Sequence, residues 1–530
     1  MKIIPILYGL ATLAWGAAAL PAAELPHLKK TTAGAQLIVN GQPFLILGGE
    51  LHNSSASSLE YLEPVWPRLK AQNLNTVLAT VSWELLEPEE GRFDFTLVDG
   101  LLAGARRQDL KLVLLWFGSW KNGVSTYVPG WVKKDTARFP RVCNQHGDKA
   151  EVLSAFSQAN LDADRKAFAA LMRHLRETDQ KEQTVLMIQV ENEAGLLGQP
   201  RDLAPEAVKA FQREAPAELV RYFSAHQQQL IPEFKKYWSE ASGQTNGTWN
   251  AVFGEGGEEA FMAWHLARYI GQVAAAGKAE YALPMFANAW LIQHETQKAG
   301  QYPSGGPVSK VQDIWRAAAP AIDLLAPDIY LRDFKEVCAS YTRFGNPLFI
   351  PECSPGADAV AKAFYAFGQH QALGFCPFGI ESMPEDRPLK EGYALLRALV
   401  PEISRHPDPG ALLGIYQQDG EDRQNLQLGG YNLEITFKPG GKKELPGYGL
   451  AIASGADEFL VAGAGLAIHF STRKPGPKYT RILAIDEGWF VNGAWKPGRR
   501  LNGDENAGGW RLQIPYGKPA LQRVRLYRHD

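Results

Sequence analysis

Two glutamates stand where apolar runs end. The run TVLMIQV (184–190) leads straight into Glu191-Asn192-Glu193, and PLFIP (347–351) leads into Glu352. A carboxylate that closes a buried strand is costly unless it has a partner or a task. Taken singly, each has an ordinary explanation: a satisfied salt bridge, or solvent exposure at the strand end. Taken together, paired carboxylates suit glycoside hydrolysis. One protonates the departing oxygen, and the other attacks or stabilises an oxocarbenium-like centre. A separation of about 5–5.5 Å gives retention, while about 6.5–9.5 Å admits water and gives inversion. The sequence leaves that distance open.

Further polar and aromatic residues fall near the ends of other predicted strands. Glu50 and Glu84 close the first two and suit bidentate contacts to a diol, with a rim salt bridge as the plain alternative. Tyr330 closes AIDLLAPDIY, and Trp120 and Trp290 are candidates for stacking on a sugar ring, with core or rim packing as the alternative. His52 reads as a polar pocket residue. Cys353, beside Glu352, has no neighbouring His or Lys in sequence and reads as a core thiol. The scattered histidines form no HExxH, so no metal site and no cofactor are expected.

The elements that must position these groups alternate. Strand-like runs fall near 43–49, 76–83, 110–117, 184–190, 281–290, 321–330, 346–352 and 371–380. Between several of them lie helical stretches, 163–178 and 258–279 being the clearest. Wholly apolar strands alternating with helices mean a parallel sheet covered on both faces. Eight such units predict an α/β fold, a (β/α)8 TIM barrel, whose catalytic groups sit at the C-terminal strand ends. A doubly wound open sheet is the competitor, but LILGGELHNSS lacks GxGxxG spacing.

After Val400-Pro401 the character changes: HPDPG (406–410) reads as linker, and short alternating segments follow with no convincing helix. The predicted organisation is a signal peptide over 1–23, a barrel with an N-terminal extension over 24–400, a linker over 401–409 and a β-sandwich-like domain over 410–530. Asn40-Gly41 and Asn492-Gly493 read as hairpin turns, and VRLYRH (524–529) as an edge or outer strand. Met1-Lys2, an apolar stretch and small residues near Ala17–Ala23 predict export, to the periplasm or beyond. With no second long apolar run, the mature chain is not expected to span a membrane.

Composition narrows the partners. Lys plus Arg is 55 against 57 for Asp plus Glu, so a basic nucleic-acid-binding surface is not expected. Four cysteines, Cys143, Cys338, Cys353 and Cys376, are too few for a disulfide scaffold, although export leaves room for one bridge. The oligomeric state stays open, a homo-oligomer included.

Here the motifs become specific. IQVENEAG (188–195) is similar to IQVENEYG, SWELLEPEEGRFDF (82–95) to PWNxHEPxxGxYxF, and LLWFGSWKNG (114–123) loosely to a segment reading CAEWxxGG. GELHNS (49–54) stands where a GSIHYF-like run is expected, and PLFIPE (347–352) matches a segment ending in a nucleophile. The chain therefore resembles the β-galactosidases of glycoside hydrolase family 35, in a divergent bacterial branch with a C-terminal β domain. The resemblance implies Glu193 as acid/base and Glu352 as nucleophile. It implies Asn192 at the sugar 2-hydroxyl and Glu191 as polar support that also touches the sugar. It places Ser119, Trp120, Lys121 and Asn122 at the sugar-facing end of the third strand.

The resemblance further implies a retaining, exo-acting β-galactosidase working on oligosaccharides of plant cell-wall origin, the side chains of xyloglucan among them. The departures bear on the sugar more than on the reaction. Ala194 replaces a tyrosine, Leu86 a histidine, and Cys353-Ser354 follow Glu352 in place of an aromatic. Two other readings stay open: a retaining β-glycosidase for glucosides, mannosides or arabinosides, and a non-catalytic carbohydrate-binding protein on the same scaffold.

Overall fold

Eight parallel strands run in chain order and close on themselves. They are β1 (Ile46–Glu50), β2 (Thr76–Ser82), β3 (Lys111–Lys121), β4 (Val185–Asn192), β5 (Met285–Trp290), β6 (Leu324–Ile329), β7 (Phe349–Cys353) and β8 (Gly374–Pro377). The last pairs with the first, which makes the TIM barrel. This computed structural model describes residues 24–530 except 33, 241–242, 385–386, 407, 409, 438–444 and 492. The proposed export segment therefore lies outside the described residues. Among them, no helix is long and apolar enough to cross a membrane.

The strands are apolar on both faces because both faces are buried. Inward-pointing Ile46, Leu78, Val113, Leu115, Phe117, Phe286, Leu324 and Phe349 form one cluster inside the barrel. Outward-pointing Leu47, Val77, Ala79, Leu112, Leu114 and Trp116 pack beneath the surrounding helices. The longest of these helices, Gln158–Asp179 and Gly257–Glu280, flank β4 in sequence.

The N-terminal extension is a three-stranded antiparallel sheet, His27–Thr31, Gly34–Val39 and Gln42–Phe44. Asn40 and Gly41, both at positive φ (51° and 72°), make its two-residue turn. Leu37 and Val39 of this sheet join the barrel's interior cluster. The sheet thus covers the end where the strands begin, opposite Glu193 and Glu352. The run expected as one strand over 43–49 is split at Leu45 between this sheet and β1.

The C-terminal part is all-β, with a six-stranded and a four-stranded antiparallel sheet. Leu413, Ile415, Val461 and Val524 of one sheet and Leu433, Ile435, Ile468 and Leu512 of the other share one core. Gly368 of the helix Ala359–His370 meets Gly414 of the strand Leu412–Tyr416, where an added Cβ would lie 2.8 Å from the Gly414 Cα. Missing side chains there let the barrel and the β part approach backbone to backbone.

Two local expectations change. The linker expected over 401–409 begins inside a helix, Pro388–Arg405, which runs through Pro401. Leu396, Leu399 and Ile403 continue its buried face, and their burial offsets the hydrogen bond that the proline forgoes. The strand Ala520–His529 is interior to its sheet, not at an edge, pairing with both Glu458–Ala464 and Tyr479–Val491. Its alternation reflects one face on the core. Tyr479–Val491 and Ala494–Leu501 form the expected hairpin, with Val491 opposite Ala494; Asn492 is outside the described residues.

Candidate active site

The barrel gathers its polar residues at the C-terminal strand ends. Glu50 ends β1, Lys121 ends β3, Asn192 ends β4 with Glu193 next, Asp328 lies near the end of β6, and Glu352 lies on β7. All are buried, Glu193 at 6% and Glu352 at 8% exposure. Asp328 stands opposite Glu352 in the β6–β7 register.

Hydrogen bonds set their orientation. Asn122 Nδ2 donates to Glu193 Oε2 at 2.6 Å. The Glu193 backbone N–H donates to Asn288 Oδ1 at 3.0 Å, and Asn288 Nδ2 donates to Asp328 Oδ2 at 2.7 Å. The Tyr330 hydroxyl donates to Glu352 Oε1 at 2.5 Å. Glu352 Oε2, Glu50 Oε1 and both amide atoms of Asn192 are buried without a protein partner. Buried polar atoms are nearly always paired, so this concentration of unpaired ones marks a place for a polar ligand.

The electrostatics divide the carboxyls. Burial, and then the negative charge of Glu352, raise Glu193 to about 7, against an opposing pull from Lys121. Burial and Glu352 also push Glu50 and Asp328 well above the ordinary carboxylate range. Glu193 is thus poised to hold or give up a proton near neutral pH.

The backbone is strained where these groups are aimed. Glu191, Glu193 and Asn122 lie at φ of 63°, 44° and 53°. Non-glycine residues in that region cost energy and persist where the surroundings over-determine them.

The structure brings together Glu193, Glu352, Asn192, Glu50, Asn122 and Tyr330. It moves three other candidates away. Glu191 does not face a sugar: its Oε2 accepts from the Trp120 N–H at 2.7 Å, and its carboxyl lies against the fully buried Asp164. The positive φ at Glu191 turns its side chain toward the helices. Trp120 is 1% exposed and packs edge-on against Tyr269, 4.6 Å between centroids, so it offers no free face. Glu84 sits one turn beyond β2, on the short helix Trp83–Leu86, and pairs with Lys133 at 3.0 Å. Trp290 is half-buried at the end of β5, beside Asp328 in register. His52 bonds Ser382 through Nε2 at 2.9 Å and meets Phe378 edge-on. The four cysteines are free, and Cys353 is fully buried with its thiol pushed well up by that burial.

Asp328, Asn288 and Glu381 were not singled out from sequence. Their signal is a polar residue inside an apolar strand or just past its end: Asp328 in LLAPDI, Asn288 in MFANAW, Glu381 after FCPFGI. Glu381 Oε1 accepts from the His52 N–H at 2.9 Å and from Ser55 Oγ at 2.6 Å, tying the loop after β1 to the loop after β8.

Comparison with known proteins finds likeness to β-galactosidases. A family model described as β-galactosidase, of glycoside hydrolase family 42, matches residues 60–253. A second, a domain of unknown function (DUF5597), matches 389–513. A β-galactosidase of Xanthomonas manihotis is 30% identical over 194 residues, covering 34% of this chain and 29% of that protein. The human β-galactosidase-1-like protein 3 is 28% identical over 193 residues, 34% of this chain and 26% of that one. The chain thus spans less than a third of the length of these relatives. Among solved structures, the β-galactosidases of Rahnella sp. R3 and Bacillus circulans sp. alkalophilus share 16% and 15% identity, with TM-scores of 0.44 and 0.47. Each covers 68% of this chain and 57% of its own. Over residues 60–253, which carry β2 to β4 and Glu193, the chain is a divergent relative of the β-galactosidases.

Proposed function

We propose that the protein is an exported, retaining, exo-acting β-galactosidase that releases terminal β-linked galactose from oligosaccharides, xyloglucan side chains among them. One observation carries the reading: Glu193, just after β4, and Glu352, on β7, are close enough that the charge of Glu352 adds to burial in raising Glu193 to about 7. In the first step Glu352 attacks the anomeric carbon while Glu193 gives its proton to the departing oxygen. Tyr330 holds Oε1 of Glu352, which leaves the unpartnered Oε2 to form the bond. Once Glu352 is esterified its charge is gone, and Glu193 becomes easier to ionise. Glu193 then takes a proton from the water that releases the sugar with its configuration retained. Asn192, with both amide atoms free, suits the 2-hydroxyl, and Glu50 suits a neighbouring hydroxyl.

The test is galactose release from galactosylated xyloglucan oligosaccharides, beside a panel of nitrophenyl β-glycosides, with the anomer followed by NMR. The expected result is β-galactose as first product and no turnover by Glu352→Gln. Cleavage of a different glycoside alone would keep the two glutamates and replace the sugar. Silence across the panel would favour a binding protein, and α-galactose as first product would overturn retention.

A further inference from the structure

Asp328 is a buried carboxyl that the proposed reaction leaves without a task. It lies on β6, where Leu324 and Ala326 join the barrel's interior cluster, so strand alternation aims Asp328 inward as well. Asn288 follows Phe286 on β5 in the same way. Asp328 and Asn288 are 3% and 2% exposed.

The Asn288 amide is fixed from both sides. Its Oδ1 accepts from the Glu193 N–H, so Nδ2 is the atom left to face Asp328, and Asp328 Oδ2 accepts from it. Asp328 Oδ1 is buried and receives no donor. The Asp328 and Glu193 side chains lie within hydrogen-bond reach of each other. Two carboxylates cannot bond to each other, since each only accepts. A bond between them needs a proton. With Oδ2 already accepting from Asn288, Oδ1 is the oxygen of Asp328 that can carry it.

The surroundings favour a proton on Asp328. Glu193, Glu352 and Glu50 face it, and Lys121, which acts on Glu193 and Glu50, is the cation of this cluster. Tyr330, Tyr341 and Cys353, also near Asp328, are neutral, because burial pushes each of them up. Four buried carboxyls around one lysine cannot all be charged cheaply. Glu352 must be charged to attack, and Glu193 must ionise when it gives up its proton. Asp328 has neither requirement.

We propose that Asp328 is a positioning residue, a carboxylic acid that stays neutral in the folded enzyme and donates a hydrogen bond to Glu193. The proposal rests on the reading of Glu193 and Glu352 as a glycosidase pair. When Glu193 passes its proton to the departing oxygen it becomes a carboxylate, and the bond from Asp328 becomes charge-assisted. An interaction that strengthens as the step proceeds is one that speeds it. Asp328 keeps its own proton throughout. The same bond holds Glu193 in place when it later takes a proton from water.

Two variants of the full chain test this. Asp328→Leu fills the space and removes the donor. Asp328→Asn keeps an oxygen for Asn288 and supplies an N–H for Glu193. On a nitrophenyl β-galactoside, Asp328→Leu is expected to lose about 10- to 100-fold in kcat, and Asp328→Asn to recover most of that loss. The basic limb of the kcat/KM profile gives the sign. A neutral donor favours ionised Glu193, so Asp328→Leu moves the limb to higher pH while Asp328→Asn holds it near the wild-type position. An ionised Asp328 would oppose ionisation of Glu193. Both variants would then move the limb down, by about a unit or more, and overturn the proposal. Equal losses in the two variants with an unmoved limb would mean that Asp328 serves only the fold, and overturn it too. Where Asp328→Leu does not fold, the Asp328→Asn profile decides. Infrared difference spectroscopy needs no turnover. At about pH 7 the wild type is expected to show a protonated-carboxyl band that Asp328→Asn lacks, and identical spectra overturn the proposal. A chain that shows this band and cleaves no β-galactoside would count against the glycosidase reading, with the neutral Asp328 retained.

Discussion

Asn122, the residue after β3, donates from Nδ2 to Glu193 Oε2 at 2.6 Å, and both residues hold positive φ, 53° and 44°. The acid of the proposed reaction is thus aimed by a side chain whose own backbone is strained. Glycine tolerates that φ without cost, so Asn122→Gly removes the amide and leaves the backbone free to keep its path. The expected outcome is a Tm close to wild type and a fall of about 10- to 100-fold in kcat/KM, the range for a hydrogen bond to a charged group. Kinetics on a nitrophenyl β-galactoside, beside a thermal scan, check this. An unchanged kcat/KM would mean that Glu193 is held elsewhere.

Lys121 opposes the forces that keep Glu193 protonated. As the acid, Glu193 must carry its proton in the free enzyme, so kcat/KM is expected to fall as pH rises through about 7. Lys121→Met removes a positive charge that favours the carboxylate, which raises the Glu193 pKa and moves the basic limb to higher pH. A pH profile of kcat/KM for both proteins checks the direction. A limb that stays in place, or moves down, contradicts the assignment of that limb to Glu193.

The positions of the eight strands were legible because a parallel barrel strand is apolar on both faces, and such runs stand out as they do in KLVLLWF and TVLMIQV. Glu193 and Glu352 were legible for the same reason, as charges that end those runs. The side-chain directions were not. Glu191 and Glu193 are two residues apart, which in a regular strand puts both on one face. The positive φ at each breaks that alternation and sends Glu191 toward Asp164. Trp120 was misplaced in a similar way, because β3 is irregular against β4 between Trp116 and Lys121. The start of the linker, expected at 401, differs for another reason: the burial of Leu399 and Ile403 carries the helix through Pro401 to Arg405.

Tyr330 donates to Glu352 Oε1, and no other hydrogen-bond donor to that carboxylate was found among the described residues. Tyr330→Phe keeps the ring and removes the donor. The nucleophile then loses its orientation, and kcat is expected to fall about 10- to 100-fold. Steady-state and pre-steady-state rates with an activated aryl galactoside separate the two steps, since the loss belongs to formation of the glycosyl-enzyme. A loss confined to KM would mean that Tyr330 touches substrate and does not orient Glu352.

Gly118 sits at the crossing of Trp116, Glu191 and Asp164. A Cβ added there would meet Trp116 Nε1, and would lie 2.7 Å from Glu191 Oε1 and 2.9 Å from Asp164 Oδ1. Little around it can give way, because each neighbour is buried and bonded. Gly118→Ala is expected to destabilise by about 1–3 kcal/mol, as overpacking of a close-packed interior does. Denaturant unfolding measures this, and a change below about 0.5 kcal/mol would show that the crossing relaxes freely.

Asp164 and Glu191 form a buried carboxyl pair behind the site. Asp164 accepts from Trp116 Nε1 at 2.9 Å and from Ser119 Oγ at 2.6 Å, and Glu191 accepts from the Trp120 N–H. Burial raises both, and the charge of Asp164 raises Glu191 further. Two such groups in contact cannot both ionise cheaply, so the folded state keeps a proton between them. In the unfolded chain they ionise near their ordinary values of 3.8 and 4.5. A raised folded-state pKa gives stability that is fully present below the unfolded value and is lost as pH rises toward the folded one. The wild type is therefore expected to lose Tm steadily as pH increases above 4.5. Asp164→Asn replaces the shared proton with an amide donor to Glu191, so the slope of Tm against pH should flatten. Thermal scans of both proteins from about pH 5 to about pH 8 make the comparison. Parallel slopes would mean that the pair does not hold a proton in the folded state. A flatter slope would identify Asp164 and Glu191 as a proton-locked clasp on the segment 118–122, whose Asn122 in turn aims Glu193.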